Sequence, residues 1–486
     1  MKLNLRGPRF AADTWRLLRK RSRQKFEQLF QNELVRRMVR NSGYLFSTTG
    51  ISAAASMLQG ILAARLLGAA GFGILGTITL FTSTINNLAS FRMGELVVKY
   101  VGYYSEHDDQ PRAAVIFKLA ALFEMLASLV AFGLIWLLAP LGAKYFAKDP
   151  AIAPLFVLYG LIVLANLIAE SSTGLLQIFD RFKRLAGLNI IQSMVTLCLI
   201  TITFFSTVQQ PANLVSGKTN LADYLIMRPL YGILTAYLVG KIIGAVAITG
   251  AALIEARRRW GGGWMAQRLS LLRPQWRELA RFAISTNISA TISLATKDSE
   301  LLWVSLLRGP VEAGYYKLAL ALANMVQMPI DPLPQATYPE LSRQVAREQW
   351  SNVRYILRQG SRLAATYSIA MTLGLVLFGK FLIPFLYSAD FLPAYPALVI
   401  LLAGLLVANI FYWRRVALLS LGRADFPAKL NFVLAIFKIL GIVLLVPQIG
   451  FLASAALLAA FYWIGSLISV IKIRSLIAQR ERAKGE

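Results

Sequence analysis

Charged side chains stand inside long apolar segments of this chain: Arg65, Arg92, Glu95, Lys99, Glu124, Glu170, Lys241, Lys297, Asp298, Glu300, Lys317 and Lys438. A charge placed in a membrane span is costly, so it is usually kept where it faces a protein interior or a water-filled cavity. The surplus is basic, which suits an anionic cargo. Arg65, Arg92, Lys241, Lys297, Lys317 and Lys438 are the candidate binding cations, and Glu124, Glu170 and Asp298 are carboxylates able to take up H+ or Na+. Each has a structural alternative. Arg65, Lys99 and Lys317 lie near span ends and can extend to the headgroups. Arg92 and Glu95, three apart, can pair on one helix face, as can Lys297 and Glu300. Lys241 and Lys438 have no partner within one turn, which favours a cavity role.

Other chemistry is sparse. The single histidine, His107, sits in a polar loop, and the single cysteine, Cys198, lies within an apolar segment. Histidine-based catalysis, disulfides and cysteine metal sites are therefore excluded. No phosphate-binding loop of the Walker type is present, so the chain does not use ATP directly. We expect neither an enzyme nor a resident metal or cofactor; coupling to H+ or Na+ stays open.

These residues are positioned by membrane helices. The chain is 57% hydrophobic and 15% charged, with a mean hydropathy of +0.57. Segments long enough to cross a bilayer are expected at 43–67, 73–98, 114–139, 152–178, 187–206, 229–254, 282–306, 314–338, 362–386, 394–417, 428–446 and 450–471. The fold class is all-α: a polytopic membrane protein of about 12 helices in two parallel six-helix lobes around a central cavity. No apolar stretch precedes the first span, which then serves as an uncleaved insertion signal.

The net charge of +27 points to nucleic acid at first sight, but its distribution points to a bilayer. Twelve Lys and Arg precede Asn41, seven lie in 257–281 and five in 343–362. Others fall at Arg181, Lys183 and Arg184, at Arg414, Arg415, Arg423 and Lys429, and in the C-terminal tail. All occupy tails or even-numbered connections, so both termini are expected in the cytoplasm. Membrane lipids, not nucleic acid, are the expected partners of this charge. The resulting organisation is a basic tail at 1–40, a first lobe at 41–256, an interfacial linker at 257–281, a second lobe at 282–475 and a short tail at 476–486. Trp15, Leu18, Phe26 and Phe30 among arginines suit a tail helix lying on the membrane surface, with a disordered tail as the equal alternative.

A Leu-x-Gly-x4-Gly pattern at 66–73 recurs 241 positions later at 307–314, each time between apolar segments. Gly133 and Gly374 share that offset, and Asn166 and Asn409 nearly do. One half-length unit is used twice in the same direction, as in transporters whose substrate path lies between the halves. Gly68, Gly73, Gly309 and Gly314 read as tight turns between paired spans. Asn166 and Asn409 read as interhelical hydrogen-bonding groups.

The stretches from Leu62 to Gly76 and from Lys297 to Ala319, with Pro339-Glu340-Leu341-Ser342, resemble the polysaccharide transporter family of the multidrug/oligosaccharidyl-lipid/polysaccharide (MOP) exporter superfamily, which includes Wzx-type O-antigen and repeat-unit flippases. The resemblance covers about residues 41–475. It implies a multi-pass protein of the bacterial inner membrane that moves undecaprenyl-diphosphate-linked oligosaccharide between leaflets, with polysaccharide-assembly proteins as further partners. The basic residues above would then hold the diphosphate. Two other functions remain open. A drug or cation antiporter of the same superfamily would be expected to have an acidic interior. A polytopic glycosyltransferase or polymerase would need a larger external loop than 207–228, which offers Lys218, Asp223 and Arg228.

Overall fold

A computed structural model describes residues 33–208, 221–293, 299–423 and 425–485. All regular structure among them is helical. The first half comprises α1 (Glu33–Ala89), α2 (Met93–Glu106), α3 (Gln110–Gly142), α4 (Ala153–Ala165), α5 (Ala169–Ile178), α6 (Phe182–Val208) and α7 (Leu221–Trp260). The second comprises α8 (Trp276–Ser293), α9 (Glu300–Arg308), α10 (Pro310–Gln327), α11 (Leu333–Ala346), α12 (Trp350–Leu386), α13 (Ala394–Ile410), α14 (Arg414–Ser420), α15 (Asp425–Ile449) and α16 (Phe451–Gly485).

Among the described residues, nine stretches are long and apolar enough to cross a membrane. The first, Gly50–Ala89, contains parts of two expected spans, separated only by the non-helical Gly68. The expected spans at 282–306 and 314–338 are not among the nine: residues 294–298 of the first lie outside the described residues, and the second is divided into α10 and α11. The repeat is legible in the breaks. Gly68 has φ +63° and Gly309 has φ +89°, conformations that a side chain disfavours. Past each glycine an apolar helix runs about twenty residues and is interrupted, at Ser90–Arg92 in one half and Met328–Pro332 in the other.

Gly73 and Gly314 do not make turns. They bring the halves together. A Cβ on Gly73 would run into the carbonyl of Pro310, and one on Gly314 into the carbonyl of Ala69. Phe72 packs edge-on against Phe391 at 5.8 Å. The buried Thr77 and Ser305 hydroxyls share a hydrogen bond of 2.8 Å, and Lys148 Nζ donates to the Leu306 carbonyl at 2.7 Å. One continuous apolar core, including Ile74, Leu75 and Ile78 with Ala313, Tyr316 and Leu318, joins both halves at this glycine end.

The opposite, basic end is built differently. Two separate cores form there, one from α2, α3, α5, the start of α6, the end of α7, the linker and α8, and another from α11, α12, α14 and α16. While α1 packs closely on α10, the half-helices that follow them, α2 and α11, form no comparable interface. The halves thus meet at the glycine end and diverge between α2 and α11 toward the basic end. The linker is folded onto the first half: Trp264 and Leu272 are buried in its core, and Lys118 Nζ donates to the carbonyls of Met265 at 2.7 Å and Gln267 at 3.2 Å.

Because backbone meets backbone at this seam, no neighbouring side chain can swing aside to admit a larger residue. Gly314→Val should destabilise the closed seam by about 1–3 kcal/mol. With Cys198 replaced, a cysteine at the fully buried Thr77 should then become reactive to a small thiol reagent. It should stay protected in Gly374→Val, where an added Cβ meets nothing within 4 Å.

Candidate functional site

Among the described residues each half has two interrupted spans, and several charged side chains stand at the interruptions, one of them the buried Glu124. A broken helix leaves N–H and C=O groups without intrahelical partners, and in hydrocarbon these must be satisfied by protein or by cavity water. At the break after α1, Asn287 Nδ2 of the second half donates to the carbonyls of Leu88, at 3.4 Å, and Ser90. At the break between α4 and α5, Glu124 from α3 supplies the cap. Its carboxylate accepts the backbone N–H of Glu170 at 2.7 Å and of Ser171 at 2.9 Å, and the Ser171 hydroxyl at 2.6 Å. An anion at a helix N-terminus is favoured by the exposed N–H groups and by the helix dipole. Glu124 is buried and fully engaged.

Around that cap the half-helices α2 and α5 touch through glycine. A Cβ on Gly94 would lie 2.8 Å from the Glu170 carbonyl oxygen, and one on Gly174 would lie 2.7 Å from that of Gly94. Arg92 precedes α2 in the left-handed region, φ +51°, with its Nη1 4.0 Å from Glu95 Oε1. Both side chains are accessible, as is Glu170, which lies within electrostatic reach of the two. One cation and two carboxylates therefore stand where the halves begin to diverge.

The second half carries different charges at its breaks. Asp331 lies in the break between α10 and α11, accepting from Gln327 Nε2 at 3.1 Å. Arg414 opens α14 after the break at Phe411–Trp413, and its Nη1 donates to the buried Ser466 hydroxyl on α16. Trp413 Nε1 donates to Ser361 Oγ at 2.7 Å, and the Tyr412 and Thr337 hydroxyls lie 3.0 Å apart, which anchors that break to its neighbours. The first half thus has Arg92 and Glu95 at its first break and Glu124 and Glu170 at its second, whereas the second half has Asp331 at its first and Arg414 at its second.

The remaining candidates divide by place. Lys241 is half-buried near the middle of α7, in the row of Leu234, Leu238, Ala245 and Ile248, all buried, and opposite the exposed Ile242, Ile243 and Val246. It has no hydrogen-bond or ion-pair partner among the described residues. Lys317 crosses the seam. Its ammonium sits 4.1 Å from the centre of the Phe72 ring and 3.4 Å from the Phe72 carbonyl oxygen, and its stem fills the notch left by Gly76. Arg65 also joins the seam, its Nε donating to the Leu386 carbonyl at 2.7 Å and its Nη2 to that of Phe385. Lys297 and Asp298 lie outside the described residues.

Lys438 departs from the cavity role expected of it. Its ammonium pairs with Glu300, both side chains only 2% exposed, and lies 5.3 Å from the centre of the Phe461 ring. The partner is on another helix, so spacing along the chain does not reveal it. Asn166 also departs from expectation, donating to the Ile162 carbonyl of its own helix at 2.9 Å. Arg414, Asp331 and Asn287 were missed by the sequence reading. Arg414 reads as a loop residue on charge distribution alone, whereas Pro329, Pro332 and Pro334 do signal the break that holds Asp331. Among the described residues, no cluster of three or more His, Cys, Asp or Glu could hold a metal ion.

Comparison with known proteins gives three findings. Residues 38–345 match the family model described as polysaccharide biosynthesis protein. The inner membrane protein YghQ of Escherichia coli K12 is 24% identical over 376 residues, covering 75% of this chain and 97% of that protein. Among solved structures, an inward-facing multidrug resistance MATE family transporter of the MOP superfamily aligns with a TM-score of 0.68 at 13% identity, over 89% of this chain and 96% of that one. The lipid II flippase MurJ, in an inward closed conformation, aligns with a TM-score of 0.65 at 15% identity, over 90% and 89%.

Two measurements separate structural charges from accessible ones. Glu124→Ala strands buried N–H groups and should cost about 1–3 kcal/mol, read as a lower unfolding midpoint in detergent, whereas Glu170→Ala should leave the midpoint nearly unchanged. Lys438→Met should cost about 3–5 kcal/mol by leaving Glu300 buried without its counter-charge. The double variant Lys438→Met/Glu300→Met should recover most of that loss.

Proposed function

Because the chain belongs to the polysaccharide biosynthesis protein family and has the fold of MOP-superfamily transporters, we propose that it is a flippase for undecaprenyl-diphosphate-linked oligosaccharide. The cargo is an O-antigen or other polysaccharide repeat unit, moved across the bacterial cytoplasmic membrane by alternating access. Both termini and the basic end face the cytoplasm. The observation that carries this reading is the seam: backbone contact through Gly73 and Gly314 shuts one end, while α2 and α11 diverge at the other. Charged helix breaks stand at the level of divergence.

The physical need is clear. An unaided lipid-linked oligosaccharide would have to strip water from its diphosphate and from every sugar hydroxyl, at several kcal/mol per group. Cations at the cleft replace that water for the diphosphate. Lys241, Arg92 and Arg414 are the residues we assign to this role, from half-buried or accessible positions on helices that hold them in place. Arg65 and Lys317 act at the outer seam, closing it while the cargo enters from the cytoplasmic leaflet. Glu170 is the coupling candidate that remains accessible, for H+ or Na+, since Glu124 is committed to capping α5. No cofactor and no chemical step are required of the chain, and polysaccharide-assembly proteins are its natural partners.

Charge reversal tests the cation assignment. Lys241→Glu and Arg414→Glu should each abolish or strongly reduce glycan export with the protein still inserted at normal level, and Lys241→Arg should be milder because charge is kept. Normal export by both reversed proteins would remove these residues from the pathway. A disulfide between cysteines at Ala70 and Val311, which flank the glycine contact, should stop export under oxidation and restore it on reduction. Export at the normal rate through a fully formed bridge would mean that this end does not open.

A further inference from the structure

We propose that the basic end of the first half carries a specific site for the phosphate of an anionic phospholipid, formed by Arg181, Arg184 and Arg259 around Glu255. The site is separate from the cleft charges and does not depend on the flippase reading.

Its centre is a buried carboxylate. The Glu255 side chain, near the end of α7, is 1% exposed. Arg181 Nη2 lies 2.8 Å from Oε1, Arg259 Nε 3.6 Å from the same oxygen, and Arg184 Nη1 3.9 Å from Oε2. Arg181 makes the close hydrogen bond, while the contacts of Arg184 and Arg259 exceed ordinary hydrogen-bonding distance. Three cations surround one carboxylate. A guanidinium carries five N–H donors, and these three side chains remain 37%, 47% and 52% exposed for Arg181, Arg184 and Arg259. Asp180 contributes one further negative charge beside them, and Lys183, Arg257 and Arg258 more than offset it.

The cations are held in place. The turn before α6 is closed by hydrogen bonds from Asp180 N to the Gln177 carbonyl at 3.1 Å and from Arg181 N to that of Leu176 at 2.8 Å. The Arg259 guanidinium lies 4.8 Å from the centre of the Phe179 ring, which in turn packs against Trp260. Glu255 thus does what a solvated basic surface does not: it gathers mutually repelling arginines at a fixed spacing, with donors left for a second anion.

The ligand is a lipid because of what adjoins the cluster. Ile243, Val246 and Ile254 form an exposed apolar row along α7 that ends beside it, and α6 adds Ile191, Met194 and Ile202. The arginines stand at the ends of two apolar stretches long enough to cross a membrane, Phe182–Thr207 and Met227–Trp260, which puts them at interfacial depth. A phosphate diester with acyl chains along that row satisfies both parts, and free phosphate satisfies only the first. Basic pockets between spans on the cytoplasmic side bind anionic headgroups in this way.

The test uses the full-length protein in detergent, delipidated and then offered phosphatidylglycerol, phosphatidylcholine or inorganic phosphate, with bound lipid counted by native mass spectrometry and stability followed by thermal unfolding. Phosphatidylglycerol should be retained and should raise the unfolding midpoint, while the other two should not. Arg184→Gln/Arg259→Gln should weaken that binding about ten- to thirty-fold, and Arg184→Lys/Arg259→Lys should recover part of it. The control Arg358→Gln/Arg362→Gln removes the same charge from exposed positions of the second half and should bind as the parent does. Equal retention of phosphatidylcholine, equal stabilisation by inorganic phosphate, or equal loss in the control would each overturn the proposal.

Discussion

The constraint on which the rest of this structure depends is that a peptide group in hydrocarbon must find a hydrogen-bond partner. An unpaired N–H or C=O there costs several kcal/mol, so a membrane helix can be interrupted only where protein or cavity water receives the freed groups. Asn287 and Glu124 meet that requirement at two of the breaks, and Glu124 does so with its entire carboxylate. A chain that must break its helices beside a polar interior also has a place to keep accessible charge. Arg92, Glu95, Glu170 and Asp331 stand at those interruptions, and Arg414 opens the helix after the last of them. Breaks and charges thus share one cause.

Duplication supplies the frame, and divergence of the two copies supplies the polarity. Gly68 and Gly309 hold the same left-handed position in each half, so that part of the repeat is governed by backbone geometry and tolerates no side chain. The breaks are less constrained, because any group with the right donor or acceptor can serve. One half caps its second break with a buried carboxylate, while the other ties Tyr412 and Trp413 to Thr337 and Ser361. The two copies therefore present carboxylates at one second break and an arginine at the other, an asymmetry that a polar cargo oriented across the membrane can exploit.

The fold was legible in the sequence because its signals are local. Apolar length and each copy of the glycine pattern require only neighbouring residues, and the 241-residue offset and the alternation of basic loops follow from comparing such segments along the chain. The candidate site was legible only in part. Lys438 reads as an unpaired cation because its partner, Glu300, is 138 residues away. Arg414 hides among basic residues that follow a span, and only the break at Phe411–Trp413 brings it into the bundle. Gly73 and Gly314 were rightly grouped with Gly68 and Gly309, yet they do another job, because close approach between helices leaves the same residue type as a turn does. Three prolines within 329–334 announced a break that hydropathy alone passes over.

The contacts within each half differ in kind from those across the seam, and that difference bears on how the molecule can move. Inside the second half, the Lys438–Glu300 pair is buried, and Glu312 accepts both Arg308 Nε and the N–H of Phe451 at the start of α16. Inside the first, Glu124 ties α3 to α5, and Glu255 ties the start of α6 to the end of α7. Separating Lys438 from Glu300, or Glu124 or Glu255 from its donors, strands a buried charge away from water, which costs several kcal/mol. Across the seam the contacts are the shared apolar core, glycine packing, a ring edge, one hydroxyl pair, and lysine or arginine reaching carbonyls from half-buried or exposed positions. The hydroxyls and cations can exchange their partners for water or for a charged cargo at little net cost, whereas parting the apolar core exposes hydrophobic surface and so favours the closed seam. Among the described residues, the halves are thus joined at the seam by apolar, neutral and half-buried contacts, and each half is held together internally by buried charges.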